Sequence, residues 1–319
     1  MNIQLPEQYI GSRIDKALSD HFFLSRNFFH QLFERKLIEM IKNDKQNVVK
    51  KSYTLEGREE FILPDLQRYE DNQILKESPK LDLEVKLETP DYMVIYKPKG
   101  ILSHPKTLFD VSEPSVVGFL YHRFWELPDA GNLIKAGLIH RLDKDTDGLM
   151  IIAKSEKGLQ YFKRLFDDKS HNAVEWNTTE PVPLHKYYRA VCELTKHGET
   201  WLHLHPQAHT LESMIHPKVN VFGYPKLWIS TILNHKITAK EWSHYSDIPT
   251  VTIELEILTG RTHQIRYQLS EIGLPLIGDY LYHPSSPKDS PLMLTAFKLE
   301  FTDCDNKKQC IEIDTLNEV

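Results

Sequence analysis

Cysteine is scarce in this chain: Cys192, Cys304 and Cys310 are all that 319 residues contain. So few thiols at such irregular spacing exclude a disulfide framework or a cysteine zinc site, and they fit a reducing compartment. A long apolar run is also missing. The longest near the middle, Leu149 to Ala153, falls far short of the ~20 residues a bilayer-spanning helix needs. Met1 to Gly11 holds no basic stretch followed by an apolar one, so no secretory signal is expected and the chain reads as soluble, cytoplasmic and free of membrane contact. Internal repeats and low-complexity tracts are lacking. So is a surplus of positive charge: 39 Lys+Arg face 45 Asp+Glu, a net −6 that disfavours a nucleic-acid partner when only the total is counted.

What remains is globular composition, 40% hydrophobic and 26% charged, and a length that suggests two domains at roughly 150 residues each. The first unit spans residues 1–66. Ile14, Ala17, Leu18 and Phe22 recur at helical spacing, Ser25 is placed to cap a second helix, and short strands follow at 38–41, 48–49, 53–55 and 61–63. Charge is uneven here. Residues 26–51 hold seven basic side chains against three acidic ones, with aromatics interleaved, a pattern suited to phosphate or to a solvated helix end. Residues 67–81 are polar and weakly periodic and read as a linker. Residues 82–319 are strand-rich, with helices expected from Ser155 to Phe166 and from Thr262, as the cap, to Ile272. The irregular alternation predicts an α+β domain on a mixed, largely antiparallel sheet.

Two polar clusters stand beside expected strands. His140-Arg141-Leu142-Asp143-Lys144-Asp145-Thr146-Asp147-Gly148 leads into Leu149–Ala153, where a rigid sheet can present reactive groups to a cleft. Thr259-Gly260-Arg261-Thr262-His263-Gln264-Ile265-Arg266 turns from strand to helix, and a buried Arg there requires a carboxylate. Lys97-Pro98-Lys99-Gly100 with His104-Pro105, and Lys186-Tyr187-Tyr188-Arg189-Ala190, complete the set. His203 and His205, on one face of an expected strand, and His209 have no acidic or cysteine ligand at zinc spacing, so no metal is expected there. The aspartates 143, 145 and 147 lie too close in sequence to serve as the opposed carboxylates of a glycosidase.

In this order, HRLD-x-x-T-x-G, K-P-x-G with HP, K-x-Y-x-A and TGRTHQIR resemble the RluA-type pseudouridine synthases. The beginning, with G-x-R-I-D-K-x-L, SRN and a basic helix end, resembles the αL-type (S4-like) RNA-binding domain often fused before them. The resemblance runs from about Gly11 to Phe301 and implies the pseudouridine synthase fold and the isomerisation of uridine in structured RNA. The N1–C1′ bond breaks, the uracil rotates, and C5 rejoins C1′. Large-subunit ribosomal RNA is the favoured substrate; transfer RNA, or a non-catalytic binding or ribosome-assembly role, are the alternatives. The resemblance makes Asp143 the catalytic carboxylate, Arg266 its basic partner and Tyr188 the stacking tyrosine. Arg141 answers to the extruded nucleotide, and His140, Arg261, His263 and Lys186 are assigned to substrate binding. RNA docking falls to Arg26, Arg35, Lys36, Lys50 and Lys51. No cofactor or metal is implied, because the reaction conserves atoms and is redox-neutral, and the enzyme is read as a monomer. Three positions depart from the pattern: Asp147 replaces a usual Ser, Thr295 a common His, and Glu59-Glu60 a Gly-Asp turn. If Asp147 faced Asp143 it would raise the titration of that carboxyl; facing outward it would change nothing.

Overall fold

The computed structural model describes residues 1–314 apart from 43–44, 71–72, 108, 125–126, 129–135, 173–183, 206–208, 213–225, 234–247, 258–259, 284 and 287–289. The Asn43-Asp44 turn, and Leu258 and Thr259 before Gly260, lie outside these residues. The chain divides into two compact units, Met1–Ile74 and Leu75–Val319.

In the first unit, α1 (Ile14–Phe22) and α2 (Arg26–Glu34) bury Ile14, Ala17 and Leu18 on one helix and Phe28, Phe29, Leu32 and Phe33 on the other. Ser25 caps α2, its Oγ accepting from the Phe28 N–H at 3.2 Å. The sheet is antiparallel, built from β1 (Asn2–Gln4), β2 (Glu39–Lys42), β3 (Lys45–Val48) and β4 (Glu60–Ile62) in the order β1-β4-β2-β3. Residues 53–55 do not form the expected strand; Thr54 makes only an isolated bridge to Arg13. The segment read as a linker contains α3 (Gln67–Glu70) and a 3-10 turn over Gln73–Glu77, and it buries Tyr69, Ile74 and Leu75. Buried apolar residues at irregular intervals carry no helical period, which is why the sequence reads as linker.

The second unit is built on a nine-stranded sheet. Its strands are β5 (Val85–Glu88), β6 (Tyr92–Lys97), β7 (Asp147–Ala153), β8 (Leu184–Glu193), β9 (His209–Glu212), β10 (Lys226–Leu233), β11 (Thr250–Ile257), β12 (Leu294–Thr302) and β13 (Lys308–Glu312). The order is β5-β6-β7-β12-β8-β11-β10-β9, with β13 beside β12. Only β7 and β12 run parallel, so the sheet is mixed and largely antiparallel. Among the described residues four helices accompany it: α4 (Val116–Arg123), α5 (Glu156–Asn172), α6 (Lys196–Leu204) and α7 (Gln264–Glu271). The core gathers Tyr92, Val94, Leu149, Ile151, Phe162, Leu299 and Phe301. Gly148 sits at φ 123° against β12, where a Cβ would strike the Ala296 carbonyl oxygen.

Two local expectations change. His203 lies in the last turn of α6 and His205 is its C-cap, so no strand alternation brings their rings to one face. Helix α7 begins at Gln264, and Thr262 does not cap it. His263 occupies the cap position in the left-handed region at φ 55° without a capping side chain, and Gln264 accepts from the Arg261 N–H at 3.1 Å. Among the described residues no helix is long and apolar enough to cross a membrane.

Candidate active site

The loop before β7 is strapped on both sides of Asp143. Ser103 Oγ donates to the Leu142 carbonyl at 2.6 Å and accepts from its N–H at 3.0 Å. The Lys144 carbonyl accepts from the Gly100 N–H at 2.9 Å and from the Lys97 ammonium at 3.2 Å. Asp143 lies between these anchors, so its carboxylate is presented by a fixed backbone. Lys186 and Tyr188 are two residues apart on β8 and therefore share a face.

These elements enclose a cavity of about 320 Å³. Its walls include all eight residues expected in the second unit: His140, Arg141, Asp143, Lys186, Tyr188, Arg261, His263 and Arg266. Sequence reasoning missed Phe166, Thr146, Ile257, Gln264 and Leu294, which also line it. Phe166 had a signal, since it belongs to the expected helix after Ser155, but an apolar helix residue reads as core. His140 stacks on Phe166 with ring centroids 5.1 Å apart, and the Lys186 ammonium lies 4.6 Å from the centre of the same ring. Flat faces beside a carboxylate suit a planar, polar ring.

The charges within the cavity are sorted by burial. Burial, with Asp143 adding to it, pushes the Tyr188 phenol well above its ordinary value, so it stays protonated. His140 is driven down to about 3 by burial and by the charge of Lys186, and it is therefore neutral. Its Nε2 accepts from the Ile151 N–H at 3.0 Å, which places the ring proton on Nδ1. His140 thus contributes a stacking wall rather than a cation. His263 Nε2 stands 3.8 Å from Asp143 Oδ2, and its Nδ1 is 3.2 Å from the Tyr282 hydroxyl. Arg141 is exposed, 3.5 Å from His104 Nε2.

Arg266 corrects the expected pair with Asp143. Its guanidinium donates Nε to Asp279 Oδ2 at 2.7 Å and Nη2 to Asp279 Oδ1 at 2.6 Å. Both side chains are buried, 5% and 0% exposed, and a desolvated guanidinium requires a carboxylate in contact. Asp143 acts on Arg266 only at longer range. Asp279 also accepts from the Leu281 and Tyr282 N–H groups, so one carboxylate fixes both the arginine and the turn holding Tyr282.

Asp147 faces inward, 8% exposed. It accepts from the Tyr96 hydroxyl at 2.9 Å and from Thr295 Oγ1 at 2.8 Å. Two of the three departures from the family pattern, Asp147 and Thr295, therefore touch each other across β7 and β12. Asp91, Cys304 and Asp305 form the one cluster of ligand-type groups among the described residues. Lys157 bridges its two carboxylates at 2.9 Å each, so an ammonium already satisfies them.

In the first unit Arg26, Arg35, Lys36 and Lys50 are exposed, and Lys51 pairs with Glu34 at 3.4 Å. Arg26 belongs to a group the sequence reading missed. Fully buried Asp15 accepts from Arg26 at 2.8 Å and from Arg13 at 3.1 and 3.0 Å, and His30 Nε2 lies 2.8 Å away. The R-I-D triplet placed Arg13 and Asp15 two apart, but nothing in the sequence links them to α2.

Comparison with known proteins accounts for this geometry. A profile of the RNA pseudouridylate synthases matches residues 91–271, more than half of the chain. The ribosomal large subunit pseudouridine synthase D of Pasteurella multocida is 29% identical over 294 residues, covering 90% of this chain and 78% of the relative. A Helicobacter pylori protein described as an uncharacterized RNA pseudouridine synthase is 27% identical over 310 residues, covering 89% and 84%. Among solved structures, human RNA pseudouridylate synthase domain containing 1 shares the fold, with a TM-score of 0.50 at 19% identity over 75% of this chain and 86% of that one. With Asp143, Tyr188 and Arg266 brought to one cavity and the profile covering the segments that carry them, the chain belongs to the RNA pseudouridylate synthase family, a family of isomerases.

Proposed function

We propose that this enzyme converts uridine to pseudouridine in large-subunit ribosomal RNA, acting as a cytoplasmic monomer without a cofactor. The observation that carries the reading is the cavity itself, in which the rigidly held Asp143 carboxylate faces Tyr188 and the Arg266–Asp279 pair. The names of the relatives, ribosomal large subunit pseudouridine synthases, support the choice of RNA. Asp143 attacks C1′ or the uracil ring, or assists proton removal at the sugar. Tyr188, Phe166 and His140 offer faces for the detached base while it turns, and Arg266 supplies positive potential from behind Asp143. Lys186, Arg261 and His263 meet the substrate, and Arg141, exposed at the mouth, contacts the backbone of the flipped nucleotide. The first unit docks RNA through Arg26, Arg35, Lys36, Lys50 and Lys51.

The new C5–C1′ bond releases the hydrogen of C5. Ribosomal RNA carrying tritium at uridine C5 and lacking pseudouridine should therefore lose tritium to solvent with the enzyme and retain it with Asp143→Ala. Release by Asp143→Ala removes the assignment of Asp143. Absence of release from large-subunit RNA, with release from transfer RNA, corrects the substrate.

A further inference from the structure

Lys97, the last residue of β6, is fully buried, and among the described residues its ammonium has no carboxylate in contact. Its three N–H groups meet three backbone carbonyls: Ile101 at 2.9 Å, Pro98 at 3.0 Å and Lys144 at 3.2 Å. The last of these belongs to the residue after Asp143. Inside a sheet, an ammonium solvated only by neutral carbonyls needs a counter-charge nearby. Asp147 supplies it from the first position of β7, itself enclosed by Tyr96, Thr295 and Lys99, whose Nζ lies 3.8 Å away.

We propose that Asp147 is a positioning residue for the isomerisation: its buried carboxylate holds the proton on Lys97, and protonated Lys97 clamps the loop that carries Asp143. This rests on the reading of Asp143 as the reacting carboxylate. The count of donors gives the mechanism. An ammonium has a hydrogen for each of the three carbonyls, whereas a neutral amine has two, and the longest contact, to Lys144, is the one that reaches the loop. Burial lowers Lys97, the carboxylates of Asp147, Asp145 and Asp143, in that order, oppose it, and the balance leaves the ammonium at about 8. The other charged or titratable groups here are Lys99 and the Tyr96 phenol, both on Asp147, and Lys144, whose side chain pairs with Glu113 at the surface. Thr295, where the family commonly has His, adds a hydrogen bond to Asp147 without a second titrating ring.

The test is the single-turnover rate of tritium release between pH 6 and 10, read beside urea stability over the same range. The wild-type rate should fall as pH rises past about 8. In Asp147→Asn the fall should begin about one unit lower, a tenfold change in proton concentration, and Asp147→Ser, the usual family residue, should behave alike and serves if the amide variant does not fold. Thr295→Val removes a hydrogen bond and keeps the charge, so its limb should stay near that of the wild type. Because the folded-state value of Lys97 lies below its unfolded value of about 10.4, stability should rise with pH between the two, and that rise should start lower in the uncharged variants. Limb and rise unmoved in Asp147→Asn and Asp147→Ser overturn the proposal, as does an equal shift in Thr295→Val. If the wild-type enzyme releases no tritium at any pH, the functional reading fails, while the stability arm still reports on Lys97 and Asp147.

Discussion

Removing Asp279 separates the two possible partners of Arg266. In Asp279→Ala the guanidinium, 5% exposed in the wild-type protein, loses both of its short hydrogen bonds, and the Leu281 and Tyr282 amides lose their acceptor. Breaking a buried ion pair from one side costs about 3–5 kcal/mol, because the remaining charge is stranded. A unit of this size shifts by about 2–4 °C per kcal/mol, so melting should fall by about 6–20 °C. Asp143→Asn is the control. That carboxylate is half-buried, and His263 Nε2 stands 3.8 Å from it, so the loss should stay within about 1 kcal/mol. Calorimetry of the three proteins reads both numbers directly. An Asp143→Asn enzyme that melts as low as Asp279→Ala, or an Asp279→Ala enzyme that melts with the wild type, would refute the assignment of Arg266 to Asp279.

Gly148→Ala should cost at least about 3 kcal/mol, because φ 123° excludes an L side chain and the added carbon meets backbone rather than a yielding side chain; a soluble variant with wild-type urea stability would contradict the geometry. His140, held near pKa 3 by burial and by Lys186, should show NMR signals of a neutral ring protonated at Nδ1 throughout pH 5–8, and an imidazolium at pH 6 would contradict this. If the first unit docks RNA, Arg26→Ala should reduce the slope of log affinity against log salt by about 0.9, the release of one counterion, and an unchanged slope would remove Arg26 from the interface.

The parts legible in sequence were those with a regular signal. Leu149–Ala153 reads as a strand because it is continuously apolar, Val251–Leu258 because Val251, Ile253, Leu255 and Ile257 alternate with polar residues, and α1 and α2 read as helices because their apolar residues keep a helical period. Strand β7 begins two residues earlier than its apolar run, at Asp147 and Gly148. Asp147 is admitted to a sheet interior by hydrogen bonds from Tyr96 and Thr295, partners 51 and 148 residues away. The same limit hid Asp279. A buried Arg266 calls for a carboxylate, but sequence cannot choose among several, and the family pattern pointed to Asp143. Strands β9, β10 and β13 were not expected, and β9 is only four residues long. The charged and aromatic residues expected in the cavity were found through motifs, whereas its apolar walls and the partners of those residues required the fold.

Asp15 has a consequence for the kinetics of encounter. Two guanidiniums left to themselves repel, and each long side chain samples many rotamers. Joined to one carboxylate beneath the surface, Arg13 and Arg26 are held together although each remains about half exposed. A phosphate arriving at that face would find the cations already assembled, so little rotamer freedom would remain to be lost during capture. Changing Asp15, which is itself inaccessible to any ligand, would then slow association with RNA while the number of positive charges on the protein stayed the same.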